Sequence, residues 1–433
     1  MLEYLHLVNV GPAPEMELDL APRLNLLTGD NGLGKSFLLD VAWWALARRW
    51  PHDVNPRLTS GYMAQPRSGK KTASITYRVR SKKTVISHTS EYRREEQTWV
   101  GKRGRPHSPG LVIYAHADGG FSVWDPARNY WKRRAKSEDA EILVPAFVFT
   151  QREVWQGLKM NIGRTRTEVC QGLLKDWATW IREGGRLAKT MARTLARLAA
   201  PGEKLEVGPL RPRSPNDPIS YPTITTAYDE AVPVLHTSAG LRRIIALAYI
   251  LLWSWDRHVA FADAQELDRA NRVIFLFDEI EAHLHPRWQR SILRSVLDVA
   301  RVLHEDAEVQ LIAATHSPLV LASAEPLFDA TRDAWFDLDL DRQTSIVELR
   351  HRPFVAHGDV SNWLASEAFD LSEARSLEAE VALEAARAVL REPKPTLAAA
   401  KAATKALVDA GIPDIDPFWV RWGTFVERLG GKG

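Results

Sequence analysis

Residues 24–36 read LNLLTGDNGLGKS, and this stretch decides the fold. Leu24 to Leu27 is a short apolar run, and Gly29 through Ser36 satisfies the pattern G-x-x-x-x-G-K-[ST]. Gly29, Gly32 and Gly34 let consecutive backbone N–H groups turn toward phosphate oxygens. Lys35 supplies a point charge for the β and γ phosphates of a nucleotide, and Ser36 offers its hydroxyl to Mg²⁺. Asp30, Asn31 and Leu33 complete the loop. Phe37 to Trp50 is then apolar at helical spacing and is closed by Pro51, so the loop lies between a strand and a helix, as a phosphate site requires. Tyr4 to Val10 reads as a further strand ahead of it.

Working outward, Arg272 to Glu279 reads RVIFLFDE, a continuous apolar run ending in two carboxylates. Such a run is expected of a buried parallel strand that delivers Asp278 and Glu279 to the sheet edge beside the phosphate loop. Neighbours on a strand point apart, so Asp278 is expected to hold Mg²⁺ through water and Glu279 to polarise the attacking water, with Glu281 in reserve as base. A third apolar run, Gln310 to Thr315, brings His316 to the same edge, where its imidazole could hydrogen-bond the γ-phosphate or the attacking water. His283 and His285 lack the H-x-x-x-H spacing and a second cluster, which argues against zinc.

The order of these pieces predicts an α/β chain with a mostly parallel sheet. The expected division is 1–56 and 236–350 for the two parts of the core, 57–145 for a β-rich insert, 146–235 for a helical lobe with a proline-rich connection, and 351–433 for a helical C-terminal module. The insert alternates Ala73, Ile75, Tyr77 and Val79 with Ser74, Thr76, Arg78 and Arg80. In the lobe, Trp155, Leu158, Leu173, Leu174, Trp177 and Trp180 suggest helix from Gln151 to about Ala200, and residues 201–222 contain six prolines. Helices are expected from Leu241, over Arg287 to Leu303 and after the Ser317–Pro318 start, with strands over Val273 to Phe277 and Val309 to Ala314. The tail reads as helix from Ser372 to Arg391, a second helix to Ala410, and an aromatic close of Phe418, Trp419, Trp422 and Phe425.

Composition narrows the classes. Of 433 residues, 45% are hydrophobic and 26% charged, too apolar for disorder and too charged for a polytopic membrane protein. Ile244 to Trp255 is the most apolar stretch, falls short of a bilayer span and reads as a buried helix. One cysteine, Cys170, and an N-terminal stretch without a basic leader or cleavage site fit a cytoplasmic setting without membrane association. The net charge is only +3, yet residues 57–136 hold 18 Lys and Arg against five Asp and Glu. That surplus either lines a nucleic-acid phosphate track or forms the solvated face of a β-subdomain. Tyr92, Trp99, Trp124, Tyr130 and Trp131 interleave with it, and would either stack on bases or pack a core.

Taken together, the phosphate loop, Gln151 after a strand, Thr237-Ser238-Ala239-Gly240, the run from Asp278 to Pro286 (DEIEAHLHP), and Ala314 to Pro318 (ATHSP) resemble the ABC-type ATPase head. The resemblance is to its non-transport branch of RecF-like and SMC-like heads, and within it to the OLD-like and Septu-type AAA family ATPases of bacterial phage defence. It implies a P-loop head that binds ATP with Mg²⁺ and acts as a homodimer or higher homo-oligomer. It further implies that Ser238 and Gly240 contact the γ-phosphate held by the partner subunit, that Leu284 to Pro286 lies at the dimer contact, and that Gln151 is a lid residue sensing Mg²⁺. Ala239 and Leu241 depart from the residues usual in that family. The expected function is a nucleotide-driven sensor or clamp acting on DNA or RNA. The alternative is a scaffold that holds and releases a separate effector protein.

Overall fold

Strand β1 (Leu2–Val8) pairs antiparallel with β2 (Glu15–Asp19), which turns Met16 and Leu18 inward and its three carboxylates outward. Strand β3 (Leu24–Gly29) follows, with Leu24 to Thr28 all buried, and ends in the glycine loop. The helix Lys35–Ala47 then buries Leu38, Leu39, Trp43 and Trp44. Trp44 stacks on Trp50 and meets the edge of Tyr77, locking this helix onto the first sheet.

The computed structural model describes all residues except 82–83, 102–107, 130–143, 145, 163–164, 226–230, 370, 372–374 and 431–433. Lys82, Lys83, Tyr130 and Trp131 therefore lie outside the described residues. The chain divides into Met1–Gly358 and Asp359–Gly433.

The stretch expected as one β-rich insert is shared between two sheets. Strands β4 (Ser74–Arg80), β5 (Val85–Arg93) and β6 (Thr98–Trp99) extend the first sheet in the order β2-β1-β4-β5-β6, with Ile75, Tyr77 and Val79 inward as the alternation predicts. Strands β7 (Leu111–Ala115), β8 (Phe121–Trp124) and β9 (Phe147–Phe149) join the main sheet instead. All five residues of β7 are buried, which no solvated insert would allow.

The expected continuous helix after Gln151 is also broken. The helix Gln151–Gln156 opens with a Thr150–Glu153 capping box and stops at Gly157. A hairpin of β10 (Leu158–Ile162) and β11 (Thr165–Cys170) follows, and only then the helices Leu173–Glu183 and Arg186–Leu198. Gly157 and Gly172, both at positive φ, close the hairpin base, where a Cβ on Gly172 would lie 2.3 Å from the Gly157 nitrogen. The proline-rich stretch forms β12 (Glu206–Pro212) and β13 (Ser220–Thr225), with β14 (Val232–Pro233) beyond. Pro209 and Pro212 are tolerated because β12 is an edge strand whose ladder shifts register between Gly208 and Arg211.

The helix Ala239–Ala264 is the one helix among the described residues long and apolar enough to cross a bilayer, and 78% of its most apolar window is buried inside the fold. It leads to β15 (Arg272–Phe277), β16 (Glu308–Ala314), β17 (Asp333–Asp341) and β18 (Ile346–Arg352). Between β15 and β16, the expected single helix is two, Pro286–Gln289 and Ile292–Val299. The main sheet has the order β18-β17-β3-β16-β15-β7-β8-β9. Its five central strands are parallel, and antiparallel strands finish both edges. The C-terminal ends of β3, β16, β15 and β7 therefore converge on one edge.

In the second unit, helices Leu377–Arg391, Leu397–Asp409 and Pro417–Arg428 are capped by Ser376, Thr396 and Asp416. Alanines at 382, 386, 400 and 403 share a core with Leu383, Leu407 and the buried Trp422, whose Nε1 donates to Thr404 Oγ1 at 2.9 Å. Phe418 and Phe425 pack on Trp422, so part of the aromatic close serves this core.

Candidate functional site

The loop after β3 takes left-handed backbone at Gly29, Gly32 and Gly34, with φ of 123°, 81° and 109°. A Cβ on Gly29 would lie 2.1 Å from the Leu338 carbonyl oxygen, and one on Gly34 would lie 2.6 Å from Pro12 Cγ, so both positions demand glycine. No side chain caps the helix that begins at Lys35, which leaves its first N–H groups to an anion. Lys35 is buried and its Nζ donates to the carbonyls of Gly29 at 2.7 Å and Asp30 at 2.8 Å. Burial holds its pKa below the ordinary lysine value. Leu33 is buried, whereas Asp30, Asn31, Gly32 and Ser36 are exposed.

Across the edge, Ser36 Oγ donates to Asp278 Oδ1 at 2.9 Å. Burial pushes the Asp278 carboxyl up to about 6, against the Ser36 bond that favours its charged form. A hydroxyl and a buried carboxylate beside an uncapped helix start are a donor set suited to a hard cation carried by a phosphate. Glu279, one residue on, has φ of 49° and is exposed while Asp278 is buried, so the two carboxylates part as expected. That left-handed glutamate is unusual backbone, and Arg243 braces it. The Arg243 guanidinium donates to the carbonyls of Asp278 at 2.8 Å, Glu279 at 3.2 Å and Ala117 at 3.2 Å.

Glu281, expected as the reserve base, is engaged by hydrogen bonds. Its carboxylate accepts from Thr315 Oγ1 at 2.7 Å and from the His316 N–H at 2.6 Å, tying the end of β16 to the loop after β15. His316 is partly exposed, and burial together with the Lys35 charge keeps its imidazole below the usual histidine pKa. Ser317 Oγ donates to Gln289 Oε1 at 2.6 Å and caps the next helix.

Gln151 is exposed and, with Asp118, Gly119, His283 and Arg243, lines a small cavity of about 70 Å³. Ser238 is exposed and caps the helix Ala239–Ala264 by accepting from the Leu241 N–H at 3.3 Å. Gly240 is buried, and a Cβ there would lie 2.4 Å from the His283 carbonyl oxygen, so this helix start packs tightly on the loop following Glu279. His285 caps its short helix through Nδ1, a structural role.

Sequence reading passed over Arg243 and Asp40. The signal for Arg243 was the second of two arginines that follow Leu241 after the Thr237–Gly240 stretch; Asp40 was a carboxylate one turn after Ser36 on an otherwise apolar helix. Asp40 Oδ1 accepts from Tyr114 OH at 3.0 Å, and burial raises its carboxyl from 3.8 to about 7. The folded chain thus keeps a proton that the unfolded chain releases, and stability falls as pH rises through that interval. Asp40→Asn should melt higher than the parent at pH 8, with the gap narrowing toward pH 5. A gap independent of pH in thermal melts would contradict the raised value.

Comparison with known proteins adds four findings. Residues 24–322 match the family described as "AAA domain, putative AbiEii toxin, Type IV TA system". The chain is 38% identical over 84 residues to the Septu protein PtuA of Bacillus mycoides (strain KBAB4), covering 19% of this chain and 10% of that protein. It is 44% identical over 92 residues to the "Retron Vc95 probable ATPase" of Vibrio cholerae serotype O1 biovar El Tor, covering 21% of this chain and 16% of that protein. The chain therefore spans only a small part of the length of these relatives. Among solved structures, an Smc head bound to the C-winged helix domain of ScpA aligns over 81% of this chain and 97% of its own, at 14% identity and a TM-score of 0.40.

Proposed function

The chain belongs to the AAA-domain family that its residues 24–322 match, and from that premise we propose that it is a Mg²⁺-dependent ATPase whose nucleotide cycle drives a dimer. The observation that carries the reading is the meeting of Lys35, Ser36 and Asp278 at one sheet edge, with Ser36 Oγ 2.9 Å from Asp278. Lys35 exchanges its two loop carbonyls for the β and γ phosphates, and the helix N–H groups receive the remaining phosphate oxygens. Mg²⁺, held by Ser36 and Asp278 with Gln151 as its sensor, would neutralise charge on the transferring phosphoryl group. Glu279 takes the proton from the attacking water at a carboxylate oxygen, and His316 hydrogen-bonds the γ-phosphate. Ser238, exposed at a helix start, and Gly240 complete the partner's site.

In this reading ATP engagement clamps a nucleic acid, DNA or RNA, as part of a cytoplasmic phage-defence response. The local similarity to a Septu protein and a retron ATPase supports that setting. A second reading, a scaffold that releases an effector protein, is favoured by the apolar side chains that the second unit leaves exposed: Leu377, Val381, Ile415 and Val420. The two separate in one experiment on protein purified from its own host with ATP and Mg²⁺ present. Salt-sensitive, ATP-dependent nucleic-acid binding by the chain alone supports the clamp. Absence of such binding, with a stoichiometric protein partner retained, supports the scaffold.

A further inference from the structure

Charge alone would place a nucleic-acid track on the basic strands β4 and β5, but their cations are largely committed. Arg78 lies 3.4 Å from Glu3 and 3.5 Å from Asp19, Arg80 pairs with Glu3 at 2.5 Å, and Arg93 pairs with Glu96 at 3.0 Å. Arg94 donates to the Lys71 carbonyl at 2.5 Å. A surface whose cations already face carboxylates has little positive potential left for phosphates.

A different place in the same unit has the opposite balance. A cleft of about 460 Å³ opens between the segment following the phosphate-loop helix and the hairpin of β10 and β11. Arg49, Arg57, Lys159 and Arg166 line it, against one lining carboxylate, Asp53. Arg57 pairs with Glu153 at 2.7 Å. Among the described residues no carboxylate lies within ion-pair distance of Arg49, Lys159 or Arg166, all three of which are exposed. Glu168 stands opposite Lys159 in the hairpin register but does not line the cleft. The floor is apolar, with Val148 and Leu158 buried and Met160 beside them. Asn55 stiffens it, donating to the Val148 carbonyl at 2.9 Å and to Glu153 at 2.7 Å.

We propose that this cleft is the nucleic-acid site of the chain and that it takes the sugar-phosphate backbone of a single strand. The inference rests on the clamp reading above and names where that clamp grips. A cleft of this volume is in the range of small-ligand pockets, the scale of single nucleotide units rather than of a duplex. Three cations with no carboxylate in ion-pair distance among the described residues supply the phosphate contacts, the apolar floor receives sugar and base faces, and contacts that fall on phosphate and sugar rather than on base edges make binding insensitive to base sequence. Both walls adjoin nucleotide-site elements, the second because the hairpin follows directly on the helix Gln151–Gln156. Arg49 stands two residues beyond the helix that starts at Lys35, and Glu153 sits on the helix that starts at Gln151. A shift of either element on ATP binding changes the cleft width, which is how nucleotide state reaches the strand.

The test compares three full-length proteins by fluorescence anisotropy with dye-labelled single strands of mixed sequence, DNA and RNA, over a salt series with ATP present. Circular dichroism and basal ATPase rate serve as fold controls. The triple reversal Arg49→Glu, Lys159→Glu and Arg166→Glu should weaken binding at low salt at least about tenfold and flatten the log-log salt slope by about 2, since each lost single-strand phosphate contact removes about 0.7. The double reversal Arg78→Glu and Arg80→Glu should keep most of the parental affinity. Parental binding that survives the triple reversal, or that is lost only in the double one, overturns the cleft and leaves the clamp reading standing. Polyglutamate that competes as well as an unlabelled strand overturns the nucleic-acid assignment in favour of an acidic peptide. A parent that binds no strand at any salt overturns both.

Discussion

Lys35→Ala is expected to abolish tight ATP binding while leaving the chain folded. Lys35 is the first residue of a helix whose core contacts come from Leu38, Leu39, Trp43 and Trp44, and alanine favours helix at least as well as lysine. The bonds lost within the protein are two to loop carbonyls, of Gly29 and Asp30, which water can replace once the side chain is gone. What cannot be replaced is the buried cation that, in the proposed function, faces the β and γ phosphates. Hydrogen bonds to charged groups contribute about 1.5–3 kcal/mol each, so losing two weakens ATP binding by roughly 10² to 10⁴. Calorimetry with ATP and Mg²⁺ measures this directly. Unchanged affinity in a variant with parental circular dichroism would contradict the phosphate-loop assignment.

That loop was legible because its signal is local. Thirteen consecutive residues specify strand, left-handed glycines and helix start, and the carboxylates of Asp278 and Glu279 stand at the end of an apolar run that could only be a buried strand. Assembly of the sheet was less legible, because strand partners are set by contacts far apart in sequence. Leu111 to Ala115 reads as one more strand of a basic segment, yet it pairs with β15 in the centre of the main sheet. Periodicity also misled between Gln151 and Ala200, where tryptophans and leucines at helical spacing straddle a hairpin fixed by Gly157 and Gly172. Side-chain braces are harder still. The sequence ranks Glu279 ahead of Glu281 by position but does not show that Glu281 holds the His316 backbone while the Glu279 side chain stays exposed, which depends on a loop with left-handed backbone at Glu279 and His283, braced by Arg243.

Glu279→Gln is expected to keep ATP binding and to slow hydrolysis by roughly 10² to 10⁴, the usual contribution of a positioned general base. The substitution preserves shape at an exposed side chain, so the backbone turn and its bonds from Arg243 should persist. With hydrolysis blocked, ATP stays in the site and should hold two subunits together, which sedimentation with and without ATP would register. Hydrolysis at the parental rate would contradict the role of Glu279. Glu281 is a poor substitute, since Thr315 and His316 already engage both of its oxygens.

The proposed arrangement of two subunits around two shared sites makes a demand that a single-chain site does not. Ser238 is exposed and its replacement by arginine forfeits one helix cap, worth about 1 kcal/mol, while placing a bulky cation where the partner's nucleotide would sit. Ser238→Arg alone and Glu279→Gln alone should each be nearly inactive. A mixed dimer, however, holds one site that joins the intact Glu279 of the first variant to the intact Ser238 of the second. With random pairing of equal amounts, about a quarter of the parental sites are restored. The decisive measurement is therefore the ATPase rate of the mixture against each variant alone, under conditions where mixed dimers are shown to form. Recovery toward a quarter of the parental rate is the predicted result, and a mixture no more active than the sum of its parts would contradict the composite-site dimer.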